Sequence, residues 1–157
     1  MDVDVRRPFP VWLLWGAAAL GLALLATGAL LIGPRLALAR DVEALRACFL
    51  PPRPHTEAWW KALAPAVARV EARGSRALPA LFAELEAGMD PDYAETLSDL
   101  IHRGVLASPA HEQDAAVCRR LSDLRISAEN VASERDRKIA ALRDWWSQNG
   151  NAYRRPW

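Results

Sequence analysis

Residues 11–32, "VWLLWGAAALGLALLATGALLI", carry no charge and a single hydroxyl, Thr27, in 22 positions. A helix of that length rises about 33 Å at 1.5 Å per residue, which matches a hydrocarbon core of about 30 Å. Trp12 and Trp15 stand near its start, where aromatic rings favour the headgroup level, and Gly33-Pro34 closes it. A core helix of a soluble protein rarely carries so long an apolar run. A cleaved signal peptide is the stronger rival, because "ALA" at 37–39 has the small-x-small form of a cleavage site. Signal-peptide apolar regions run about 7–15 residues, however, and Arg35 separates the run from that site. "RRPF" at 6–9 has only a faint likeness to a twin-arginine signal. The stretch reads as a retained transmembrane helix over residues 11–33, behind a polar tail of residues 1–10.

Outward from the span, the chain is nearly neutral. Of its 20 basic and 19 acidic residues, the tail holds Asp2, Asp4, Arg6 and Arg7, which leaves 18 and 17 beyond it. That balance gives no reason to expect a nucleic-acid partner. Arg6 and Arg7 ahead of the span resemble an uncleaved signal anchor with a cytoplasmic N-terminus. Arg35, Arg40, Arg46 and Arg53 outnumber them on the other side and would by count keep the domain inside. The count weakens when a long domain follows. The expected location is therefore a bacterial inner membrane, with the domain on the exported, periplasmic side.

Leu38, Val42, Leu45 and Phe49 are spaced four, three and four apart, which predicts an amphipathic helix continuing the span after a kink at Pro34. "PPRPH" (51–55) reads as a stiff linker, so residues 34–55 form a juxtamembrane helix and linker. The helical domain covers residues 56–150. Thr56 is a candidate N-cap for a helix to Arg73, with Trp60, Leu63 and Val67 inward and a kink at Pro65. A second helix is expected over 75–87. Asp90-Pro91 opens a third that stops at Gly104, and Ser108-Pro109 opens a fourth. The last is expected from Ser127 to Gln148, stopped by Asn149-Gly150. No stretch alternates as a strand does, and the fold class is all-α.

"LPALFAELEAGMDPDYAETLSDLIHRG" (78–104) pairs two helices across a turn built on "DPD", and "IAALRDWWSQNG" (139–150) closes the domain. Both stretches resemble HEAT-like helical repeats. The resemblance covers about half of the soluble part. It departs from the family at "YAETL" (93–97), where the second helix usually has valine followed by arginine. It implies a HEAT-like hairpin or a compact bundle that binds proteins, and it carries no catalytic residue.

Chemistry has little to rest on. His55, His102 and His111 lack ligand spacing, and neither cysteine stands in a zinc-like arrangement. His102 near a helix C-terminus fits a capping role. There is no H-E-x-x-H, phosphate loop or G-x-S-x-G. Asp90 is accounted for as a cap, Glu84 and Glu86 as a solvated face. The span holds no ionisable residue that could serve transport or ligate a pigment. No enzyme activity, cofactor, metal or small-molecule substrate is expected.

What the span does carry is a stripe of small residues, Gly16, Ala19, Ala23, Ala26 and Thr27, on one side of the helix. Such faces let membrane helices approach closely, although alanine and glycine are common in any span. Cys48 and Cys118 could form a disulfide if the domain is exported, closing a loop worth about 4 kcal/mol. In the cytoplasm they would be two thiols acting as small hydrophobes. In the tandem pairs Trp59-Trp60 and Trp145-Trp146, neighbours point about 100° apart. Trp60 and Trp146 are expected inside, with Trp59 and Trp145 partly exposed and free to meet a partner. Tyr153 and Trp157, in the tail of residues 151–157, are expected to dock or to dip into headgroups. The expected function is a non-enzymatic accessory or structural subunit of a membrane protein complex, with the lipid bilayer and other subunits as partners. The alternative is a membrane-tethered adaptor that recruits a soluble partner transiently.

Overall fold

The computed structural model describes residues 11–50, 56–108 and 115–153. Every regular element among them is helical: α1 (Val11–Ala47), α2 (Glu57–Glu71), a 3-10 turn (Gly74–Ala77), α3 (Leu78–Glu84), α4 (Pro91–Leu106), α5 (Ala115–Asp123) and α6 (Ala132–Tyr153). The chain divides into two units, one ending at Ala37 and the other beginning at Leu38. The first unit is a stretch of α1 whose described side chains are almost all exposed, Trp15, Leu25 and Leu30 among them. α1 is long and apolar enough to cross a membrane. It runs through Pro34 as a single helix.

The second unit holds the core. The end of α1 contributes Val42 and Leu45, and the turn after it contributes Phe49, as their spacing predicts. Asp41 is nearly buried and fastens this stretch to α2, accepting from Arg73 Nη2 at 2.6 Å and Nε at 3.0 Å, with Arg69 Nε at 3.4 Å. Thr56 caps α2 by accepting from Trp59 N at 3.3 Å, and Asp90 caps α4 by accepting from Tyr93 N at 3.0 Å with Pro91 in the first turn. These are the caps the sequence predicts. α4 is the hub: it packs on α2, the 3-10 turn, α3 and α5, while α6 packs on α3.

Three expected boundaries move. The helix expected over 75–87 is a 3-10 turn followed by the seven residues of α3. Leu85 leaves helical geometry with ψ 112°, and its carbonyl accepts from Arg143 Nη1 at 3.3 Å. Gly104 does not stop α4, which continues to Leu106. A Cβ at Gly104 would stand 3.0 Å from Leu78 Cδ2 and 3.4 Å from the Gly74 carbonyl, so the glycine admits a close helix crossing. Gly150 likewise lies inside α6, which begins at Ala132, later than expected, and runs on to Tyr153. A Cβ there would stand 2.9 Å from Trp146 Cδ2 and Cε2. Both glycines were expected as helix stops; tertiary packing uses their missing side chains instead.

A polar face of α4 binds the segment that follows α5. Arg125 Nε donates to Asp99 at 2.9 Å, Ile126 N to Ser98 Oγ at 3.0 Å, and Ala128 N to Glu95 at 3.3 Å. His102 continues the row: Nδ1 lies 2.8 Å from the Ser98 carbonyl and Nε2 lies 2.7 Å from the Leu121 carbonyl. Lys138 Nζ then donates to the Arg125 carbonyl at 2.9 Å. Residues 124–131 lie outside regular helix, with a few turn bonds such as Asn130 N to the Ser127 carbonyl at 3.0 Å, and this row satisfies several of their remaining backbone groups.

Candidate functional site

Phe49, Trp59, Trp60 and Tyr93 form one aromatic corner of the second unit. After α1, Phe49 N donates to the Arg46 carbonyl at 2.9 Å, a turn that carries the ring of Phe49 into the core. The Trp59 indole N–H donates to the Cys48 carbonyl at 2.7 Å, which satisfies both polar groups at a half-buried position. Ring centroids are 4.5 Å apart for Trp60 and Trp59, 5.8 Å for Trp59 and Phe49, and 5.0 Å for Phe49 and Tyr93. The first two pairs meet edge to face, a favourable aromatic geometry. The row thus runs from Trp60, 57% exposed, to buried Tyr93, and Leu50 beside Phe49 is also 57% exposed.

Against the inner end of this row lies a cleft of about 240 Å³. Its apolar lining is Phe49, Leu50, Met89 and Tyr93; its charged lining sets Arg46 against Glu84, Glu86 and Asp90. The Tyr93 hydroxyl donates to Glu84 Oε2 at 3.1 Å, and Arg46 Nη1 lies 3.9 Å from the same oxygen. Burial pushes the Tyr93 phenol well above its ordinary value, and the negative charge of Glu84 pushes it further. Tyr93 therefore stays a protonated donor throughout the physiological range.

The residues singled out by sequence are scattered. Gly16, Ala19, Ala23, Ala26 and Thr27 are all exposed on α1, and Thr27 Oγ1 donates to the Ala23 carbonyl at 2.8 Å. Trp59 is half-buried as expected, but Trp60, expected inside, is the exposed ring of its pair. Trp145, expected partly exposed, is 2% exposed, and Trp146, expected inside, is 8% exposed, both in the core. Tyr153 was expected in a docking tail; it is 8% exposed and packs 5.7 Å from the ring of Trp145. Trp157 lies outside the described residues, as do His55 and His111. Cys48 is a free thiol whose Sγ donates to the Ala44 carbonyl at 3.3 Å, and the Cys118 side chain lies outside the described residues. His102, expected as a helix-terminal residue, ties α4 to α5 through the Leu121 carbonyl. Among the described residues no three His, Cys, Asp or Glu are grouped to hold a metal.

No family model, curated protein or solved structure matches this chain. Its function has to be read from its own residues.

The exposed ring was legible in principle. Counting Ala66 with Leu63 and Val70 as the buried stripe of α2 puts Trp59 within about 15° of the stripe's centre and Trp60 nearly 90° from it. A count resting on Leu63 and Val67 alone passes over Ala66 and Val70 and selects the wrong tryptophan. The cleft had no comparable signal, because its walls come from two stretches of chain, 46–50 and 84–93, that are far apart in sequence.

Proposed function

We propose that this protein is a single-pass membrane protein whose helical domain serves as a non-catalytic accessory subunit of a larger membrane assembly. α1 carries this reading. Its described apolar side chains outside the second unit are almost all exposed, and a patch of that extent in water needs lipid or protein to cover it. The absence of ionisable residues between Val11 and Ile32 suits an anchor or a packing helix better than a conduction path. The exposed Trp60 and Leu50 supply the second support. Aromatic residues concentrate in protein interfaces, and these two stand at one corner of the domain. The α3–α4 hairpin, where the sequence resembles a HEAT repeat, adds the expectation of a protein-binding scaffold. Arg6 and Arg7 ahead of the span favour an exported domain.

The test is fractionation followed by purification in mild detergent. The protein is expected to stay with membranes through a carbonate wash and to bring down a partner in fixed ratio. A mature N-terminus at Arg40, or release by the wash, would end the anchor reading. A soluble partner recovered below stoichiometric ratio would replace the subunit with the tethered adaptor.

A further inference from the structure

We propose that Arg40 and Arg69, beside the buried Asp41, bind the phosphate groups of anionic phospholipids. This rests on the reading of α1 as a membrane span. Asp41 is 9% exposed, and one arginine suffices to neutralise it. Arg73 does so with two nitrogens on Oδ2, Nη2 at 2.6 Å and Nε at 3.0 Å. Arg69 brings a second guanidinium to Oδ1 at 3.4 Å, with its side chain 50% exposed. At that distance and exposure it adds little to holding the carboxylate, so its charge is surplus to the fold. Arg40 is exposed and makes no ion pair with a described residue. Arg40, Arg69 and Arg73 against Asp41 are three bases and one acid, and exposed Glu43, the next acid along α1, still leaves the group positive. Exposed guanidinium groups with no carboxylate of their own suit a phosphate, which arginine grips with paired N–H groups. A second observation says whose phosphate it is. Exposed apolar side chains of α1 continue to Leu36, 55% exposed, so the lipid that covers them ends close by. Four residues separate Leu36 from Arg40, a reach of about 6 Å as helix and at most about 14 Å extended. Arg40 therefore stays near the headgroup layer, itself about 5–8 Å deep, however the two units are oriented. Basic side chains at that depth draw anionic lipids.

The full-length protein in a neutral maltoside detergent is titrated with phosphatidylglycerol or phosphatidylcholine of identical acyl chains, and bound lipid is counted by native mass spectrometry. Wild type is expected to bind phosphatidylglycerol about tenfold more tightly or better. Arg40→Gln and Arg69→Gln should each weaken phosphatidylglycerol about fivefold, the gain that one basic side chain draws from an anionic lipid surface, and leave phosphatidylcholine unchanged. Arg137→Gln, which replaces an exposed arginine of α6, should leave both lipids unchanged. Melting curves of Arg69→Gln should match wild type, because Arg73 still holds Asp41. A clear loss of stability there would return Arg69 to the fold and overturn the inference. Equal binding of the two lipids, or an equal loss in Arg137→Gln, also overturns it. Inorganic phosphate in excess should not displace phosphatidylglycerol; displacement would assign the arginines to a free anion and overturn it as well. The carbonate wash keeps the two readings apart. If wild type stays with membranes yet does not distinguish the lipids, the lipid inference falls and the anchor stands. If the wash releases it, both fall.

Discussion

Two pairs of adjacent tryptophans, each on a helix, meet opposite fates. On α2, Trp59 is half-buried and Trp60 exposed; on α6, Trp145 and Trp146 are both in the core. The local geometry is the same, with successive side chains about 100° apart. What differs is how much of each helix is wrapped. Leu63, Ala66 and Val70 give α2 one buried stripe, which Trp59 joins and Trp60 misses. On α6, Trp145 and Trp146 fall about 60° and 40° to either side of Leu142, and neighbours wait on both flanks. Phe82 stacks on Trp146 at 4.4 Å and 12°, and lies 6.0 Å from Trp145, while Tyr153 reaches both. A tandem pair is buried whole when its helix is covered through a wide arc, and is split when the cover is narrow.

The largest expected effect breaks the buried pair. Trp146→Ala should cost about 3–5 kcal/mol by emptying a site stacked on Phe82, a large share of the 5–15 kcal/mol typical of a domain. Denaturant unfolding measures it, and a loss below about 1 kcal/mol would show that the α6 pair is no more buried in effect than the α2 pair. Gly150→Ala comes next. A Cβ 2.9 Å from two atoms of the indole must displace it, at about 1–3 kcal/mol, partly offset by about 1 kcal/mol of helix propensity. Adding Gly150→Ala to Trp146→Ala should reverse the sign, because the clash is gone and the propensity remains; additive costs would refute the packing account. The smallest effect sharpens the other pair: Trp60→Ala should change stability by no more than about 0.5 kcal/mol, yet lower the yield of any co-purified partner. Stability lost without loss of partner would move Trp60 into the core.

Much of the framework was legible because it depends on neighbours in sequence. The caps at Thr56 and Asp90 follow from side chains bonding amides three residues on. The Leu38, Val42, Leu45, Phe49 stripe follows from helical period alone. Misreadings came where distant chain decides. His102 reads as a helix-terminal residue, and instead it joins Glu95, Ser98 and Asp99 in holding the 121–128 segment. Tyr153 looks like part of a fraying tail, until α6 is seen to continue through Gly150 and bring it back onto Trp145. The cleft could not be foreseen at all, since Arg46, Glu86 and Tyr93 have no common spacing.

The sequence by itself determined that every regular element among the described residues is helical, where α2 and α4 begin, and that one helix is apolar enough for a membrane. Each of these is set by period, capping and composition, which act over a few residues. Tertiary structure alone decided that both tryptophans of α6 are covered, why Gly104 and Gly150 lie inside helices, and which charges share a cleft. Those outcomes depend on what packs against a helix from elsewhere in the chain, and a close contact between remote residues leaves no periodic mark in a single sequence.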